Sequence, residues 1–157
     1  MAFLTWLEST RYVEWMLGSV VAYPVMLSVH AFGLALTVGV LLALDLRLLG
    51  LYRTIPLTSL DRFLGIAWVG IGLNTFTGLS IFMTQASMYV TNVPFITKMV
   101  FVVLGSVSLV AMQRVLTRDA ATWEAAGQVP PLGRGLALGS ALCWTVAVVT
   151  GRLIAYL

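Results

Sequence analysis

The chain is short of the side chains that usually carry chemistry. Its 157 residues hold one histidine, one cysteine and six acids, and only 10% of positions are charged. A lone Cys143 rules out an intrachain disulfide and any sulfur-rich metal site, so it reads as a small packing residue. With one His, one Cys and few acids inside apolar sequence, the ligand sets of zinc enzymes and hydrolases cannot be assembled. Charge is also missing over long distances: no Asp, Glu, Lys or Arg occurs between Trp15 and Leu44, or from Phe63 to Thr97. A helix needs only about 20 apolar residues to cross a bilayer.

What is present confirms the class. Sixty per cent of the residues are hydrophobic and mean hydropathy is +0.98, far outside the range of a soluble domain of this length. The expected fold is all-α: an integral membrane four-helix bundle in a single membrane domain, 1–157. Its spans fall near 20–45, 63–86, 94–116 and 134–156. The first stretch lacks a basic start and a small-residue cleavage site before His30, so it reads as a retained span and not as a signal peptide.

A short amphipathic helix over 1–17 precedes the spans. Phe3, Leu4, Trp6, Leu7, Val13, Met16 and Leu17 share one face, with Glu8, Arg11 and Glu14 opposite, which suits a helix lying in the membrane interface or against a partner subunit. With four crossings, Arg47, Arg53, Arg62, Arg114, Arg118 and Arg134 fall on one side and Arg11, Lys98 and Arg152 on the other. The excess of basic residues marks the cytoplasmic side, so both termini are expected outside the cytoplasm. The net charge of +3 follows from this topology and calls for no nucleic-acid partner. The stretch Arg118 to Arg134, RDAATWEAAGQVPPLGR, reads as a soluble connector that stops at Pro130, Pro131 and Gly133.

His30 lies about ten residues, or about 15 Å at ~1.5 Å per residue, inside the first span. Tyr23, Met26, Gly33 and Thr37 share its face. Comparable stripes are Gly70, Asn74, Thr77, Gly78 and Gln85 in the second span, and Lys98, Val102, Gly105 and Met112 in the third. In the fourth they are Ala141, Thr145 and Arg152. Small and hydroxylated residues on such faces serve as interhelical packing and hydrogen-bonding groups, and basic residues at span ends reach toward the interface. For His30 three roles stand side by side: a hydrogen bond to a neighbouring helix, a haem iron ligand, or a proton or quinol contact. The candidate cofactor-binding set is His30, Lys98, Arg152, Asn74 and Tyr23, with no catalytic residue.

The segments SVHAFGLALTVGVLLALDLRLLGL, PFITKMVFVV and GRLIAYL resemble a family of uncharacterised four-helix bacterial inner-membrane proteins. They are more loosely similar to copper-resistance D-type and cytochrome b561-like membrane subunits. The likeness rests on His30, Gly33, Gly39, Asp45, Arg47, Phe95, Lys98, Gly151 and Arg152. It implies an inner-membrane subunit, and the looser relatives imply haem b between histidines of different helices. Here no second histidine exists, which leaves five-coordinate, subunit-shared or His/Met haem, with Met83 or Met99 nearer in height than Met112.

Two functions of different kind follow. In one, the inward faces hold haem b or a quinone, His30 ligates iron or bonds the quinone, and Lys98 and Arg152 neutralise its oxygens. In the other, the chain is a non-catalytic accessory subunit, partnered by other membrane proteins or its own copies, and His30 merely ties two helices. Asp45 and Arg47, two apart, are not expected to bond each other, and Asp45 is expected to reach Arg114 or Arg118.

Overall fold

The computed structural model describes residues 2–154 and 156. Positions 1, 155 and 157, at the edges of the predicted interfacial helix and fourth span, lie outside the described residues. Seven helices follow one another: α1 (Ala2–Glu8), α2 (Arg11–Gly18), α3 (Ala22–Leu48), α4 (Leu60–Thr84), α5 (Ala86–Tyr89), α6 (Val93–Ala125) and α7 (Pro131–Leu153). Four of these, α3, α4 with the 3-10 turn Leu57–Ser59 before it, α6 and α7, are long and apolar enough to cross a membrane. The expected all-helical four-span bundle is the fold found. An even number of crossings puts the start of α3 and the end of α7 at the same end of the bundle.

Local sequence explains where the helices begin and end. Ser19 Oγ accepts from the Ala22 amide at 3.2 Å and caps the start of α3. Asn92 Oδ1 accepts from the Phe95 amide at 2.9 Å, and Pro94 occupies the first turn of α6, where its missing amide hydrogen is not needed. Gly127, at φ +65°, turns the chain out of α6 in the left-handed conformation that glycine adopts without strain.

The bundle is two antiparallel hairpins, α3–α4 and α6–α7, joined mainly through α3 against α7, with α4 and α6 only lightly in contact. Trp68 of α4 bridges that lighter seam by donating from Nε1 to Gln113 Oε1 at 3.0 Å. Toward the end of the bundle where α3 finishes, an apolar core that includes Leu41, Leu44, Leu64, Ala67, Leu109 and Met112 fills the bundle centre.

Three expectations need correction. The region predicted as a soluble connector is helical to Ala125. At ~1.5 Å per residue the 33-residue α6 is about 50 Å long, against a hydrocarbon core of about 30 Å. Its projecting end is held by Trp123, which packs on Gly133, and by Glu124 Oε2, which accepts from the Thr58 amide at 3.3 Å. Second, the fourth span buries Gly133, Ala137, Ser140, Trp144 and Ala147, not the stripe Ala141, Thr145 and Arg152; Thr145 and Arg152 are exposed. Small residues occur all round this helix, so polar groups did not mark its inner face. Gln85, assigned to the inner face of the second span, is likewise exposed.

The third correction concerns the N-terminus, which forms two helices broken at Ser9 and Thr10, not one helix over 1–17. Val13 and Met16 are buried against the bundle, while Phe3, Trp6, Trp15 and Leu17 stay exposed as an apolar rim. Glu8 does not point away: its Oε1 accepts from both the amide and the hydroxyl of Ser87, each at 2.7 Å, and so docks α1 on α5. These bonds favour the carboxylate and hold Glu8 below its ordinary value of 4.5. A depressed folded value means that the contact stabilises fully above that ordinary value and is lost as pH falls through the lower folded one. The protection factor of the Ser87 amide, exchange measured against the free-peptide rate at the same pH, should therefore be high at neutral pH and fall as pH drops through the lowered Glu8 value, and Glu8→Gln should show the weaker protection already at neutral pH.

Candidate functional site

His30 sits on α3 where that helix meets α4, and its surroundings are set by small residues. At Gly33 an added Cβ would come within 3.1 Å of Asn74 Oδ1 and of Leu73. At Gly70 it would strike Thr37 Oγ1 and lie 2.9 Å from the Gly33 carbonyl oxygen. The two backbones thus approach as closely as glycine allows, which fixes the register of α3 on α4. One turn from Gly33 toward the terminal end, the imidazole lies over Gly78, whose missing side chain would fall 3.4 Å from the ring carbon between the nitrogens.

That register brings His30 Nδ1 to 2.8 Å from Thr77 Oγ1. The Thr77 hydroxyl donates its single hydrogen to the Leu73 carbonyl one turn back, at 2.7 Å. With that hydrogen on Leu73, Thr77 accepts from the histidine, and the ring tautomer that fits this arrangement carries its proton on Nδ1 and an acceptor lone pair on Nε2. Thr77 is fully buried, whereas His30 is only partly so. The helix tie is therefore real, and it orients a second nitrogen that it does not use.

Lys98 of α6 lies along α7, with its Cδ, Cε and Nζ 3.5 Å from the position a Gly151 side chain would occupy. It is half-buried and within electrostatic reach of His30. Tyr23, two turns from His30 on α3, is close to Tyr89 of α5, whose phenol is pushed up by burial and further by Tyr23. Tyr89, Phe82 and Phe95 stack with centroids 5.2 to 6.2 Å apart and form an aromatic floor at this end of the bundle. Asn74 Oδ1 is buried beside Gly33 without a hydrogen-bond partner among the described residues.

Of the five residues singled out from sequence, His30, Asn74, Lys98 and Tyr23 thus gather in the terminal half of the bundle. Arg152, next to Gly151 on α7, is exposed. Sequence reasoning did not pick Thr77 as the partner of His30, although it placed both on inward faces. It also missed Gly151 as the bed for Lys98 and Trp144, which fills the space opposite Gly105. Asp45 does not reach Arg114 or Arg118. Arg118 pairs with its neighbour Asp119 at 2.9 Å, and Arg114 is exposed. Arg47 turns away as well, donating from Nε to the Ile55 carbonyl at 2.6 Å and pinning the loop after α3.

No cluster of three or more His, Cys, Asp or Glu side chains occurs among the described residues, and the chain offers one imidazole. Close backbone contact at Gly33 and Gly70 holds α3 and α4 together beside His30. His30 and Lys98 are both partly exposed. A groove of about 410 Å³ between α4 and α6, bordered by Trp68, Val103, Val107 and Arg114, is a separate feature that does not include His30. No family model matches the chain, and no curated protein or solved structure matches it either.

Proposed function

We propose that this multi-pass membrane protein is a bacterial inner-membrane subunit of an electron-transfer assembly, in which His30 contacts the headgroup of a membrane quinone. The observation that carries this reading is the bond to Thr77. It fixes the imidazole so that Nε2 remains an acceptor for a quinol hydroxyl, inside apolar sequence where an ionisable group is rare. The partial exposure of His30 on a span gives a lipid-soluble ligand a lateral approach. Lys98 supplies a donor for the ligand's oxygens, and Tyr23 with the aromatic floor borders the same end. Binding of a short-chain naphthoquinone to the purified protein, lost in His30→Ala, is the direct test.

The accessory-subunit reading is favoured by the same bond, since a tie between α3 and α4 is all that a bridging protein requires. It differs in leaving Nε2 without a task. The proposed orientation, with both termini outside the cytoplasm, rests on the six basic residues at one end against three at the other. A cysteine placed in the exposed loop after α3, for example at Thr54, should resist an impermeant thiol reagent in intact cells, and one at Ser9 should react. The reverse pattern would invert the topology.

A further inference from the structure

A second polar group is buried far from His30, near the opposite end of α3. Asp45 of α3 and Ser140 of α7, on two helices packed against each other, are both completely shielded, at 0% exposure. Both Asp45 carboxyl oxygens and Ser140 Oγ lack a hydrogen-bond partner among the described residues. Ser140 is nonetheless near enough to act on the carboxyl. Three polar oxygens thus meet in an otherwise apolar core bounded by Leu41, Leu44 and Leu48.

Among the described residues no countercharge is paired with Asp45. On α3 itself Arg47 is turned to the Ile55 and Arg53 carbonyls. On α7, Arg134 is exposed and Cys143 lies one turn beyond Ser140; on α4, Asp61 and Arg62 are exposed; on α2, Arg11 and Glu14 are exposed and belong to the other end of the bundle, where Tyr12 donates to Ser80. An ionised carboxylate here would be a buried charge without a partner among the described residues, which an apolar helix interface does not sustain. What the three oxygens lack is a hydrogen. A proton on one carboxyl oxygen removes the charge and turns an acceptor into a donor for Ser140 Oγ. A monovalent cation would find only these three oxygens, because the helix carbonyls around them are engaged in their own ladders.

We propose that Asp45 and Ser140 form a buried proton-binding site between α3 and α7, with Asp45 held as the neutral acid and hydrogen-bonded to Ser140 Oγ. The step is the addition of one proton to one carboxylate oxygen, with no other bond made or broken. The site is independent of the quinone reading, since an apolar core of Leu41, Leu64, Ala67 and Leu109 separates it from His30.

The test is infrared spectroscopy of the full chain in lipid vesicles, with its aspartates labelled by carbon-13 at the carboxyl carbon. Of the three aspartates, Asp61 and Asp119 reach solvent and should be ionised at neutral pH, so any isotope-shifted carboxylic-acid carbonyl band reports Asp45. The expected result is such a band at neutral pH, insensitive to exchange of sodium for potassium and moved to higher frequency in Ser140→Ala. Asp45→Asn, a neutral isostere, should assemble like the wild type and lack the band. Only carboxylate bands at neutral pH, an acid band that disappears on adding sodium or potassium at constant pH, or one unmoved by Ser140→Ala, would each overturn the proposal.

Discussion

Gly70→Ala should lower the stability of the bundle by about 1–3 kcal/mol, the range for forcing an extra carbon into a packed interface. Gly70→Leu should prevent the α3–α4 hairpin from assembling. The reason is geometric: the added carbon would meet Thr37 Oγ1 and its amide nitrogen, and the carbonyl oxygen of Gly33, and two of these three are backbone atoms that no rotamer change can move. The helices would have to separate, and the separation would be felt at the Thr77–His30 bond two turns away. Gly72 provides the control, because an added carbon there meets nothing within 4 Å. Gly72→Ala should be neutral or slightly stabilising, since alanine is the better helix former by up to about 1 kcal/mol in a helix interior. Thermal unfolding of the three variants in one detergent measures the contrast. Equal losses at Gly70 and Gly72 would mean that the helices do not approach as described.

Replacing His30 separates its two roles by size. As a helix tie, the Nδ1–Thr77 bond should contribute about 0.6 kcal/mol, the average for interhelical hydrogen bonds in membranes, and at most about 1.7. As a ligand contact, Nε2 should matter more to binding than to folding: losing one such bond by about 1.4 kcal/mol weakens binding tenfold. His30→Ala is therefore expected to unfold almost like the wild type while binding a naphthoquinone at least about tenfold more weakly. Thr77→Val, which removes the bond but keeps the shape, should free the ring and produce a smaller loss of affinity. If the variants lose stability and gain no binding phenotype, His30 is a structural tie and the protein is an accessory subunit.

The membrane class and the four spans could be read directly from the sequence, because charge-free runs longer than a bilayer crossing leave a chain few alternatives. Inward faces were legible wherever glycine and threonine recur on one side, as at Gly33, Thr37, Gly70 and Thr77. They failed on α7, where glycine and alanine occur all round and the buried stripe is set by Trp144, a side chain that needs Gly105 opposite it. Helix ends were harder, because the projecting part of α6 is polar enough to pass for a loop and becomes helical only by packing Trp123 on Gly133. Long-range polar partners were not legible: nothing in the spacing announces that Glu8 finds Ser87, or that Asp45 is buried without an arginine. The isolation of His30, by contrast, was plain from the start, since a chain with one histidine places it in the hydrocarbon only where packing or a ligand holds it.

The most direct test of the central proposal is the quinone content of the native protein. Wild type and His30→Ala would be purified in parallel from membranes in mild detergent, extracted into organic solvent for chromatography, and scanned for visible absorbance before extraction. The expected result is quinone carried with the wild type, little or none with His30→Ala, and no Soret band in either. A stoichiometric Soret band lost in His30→Ala, or equal quinone in both proteins, would contradict it.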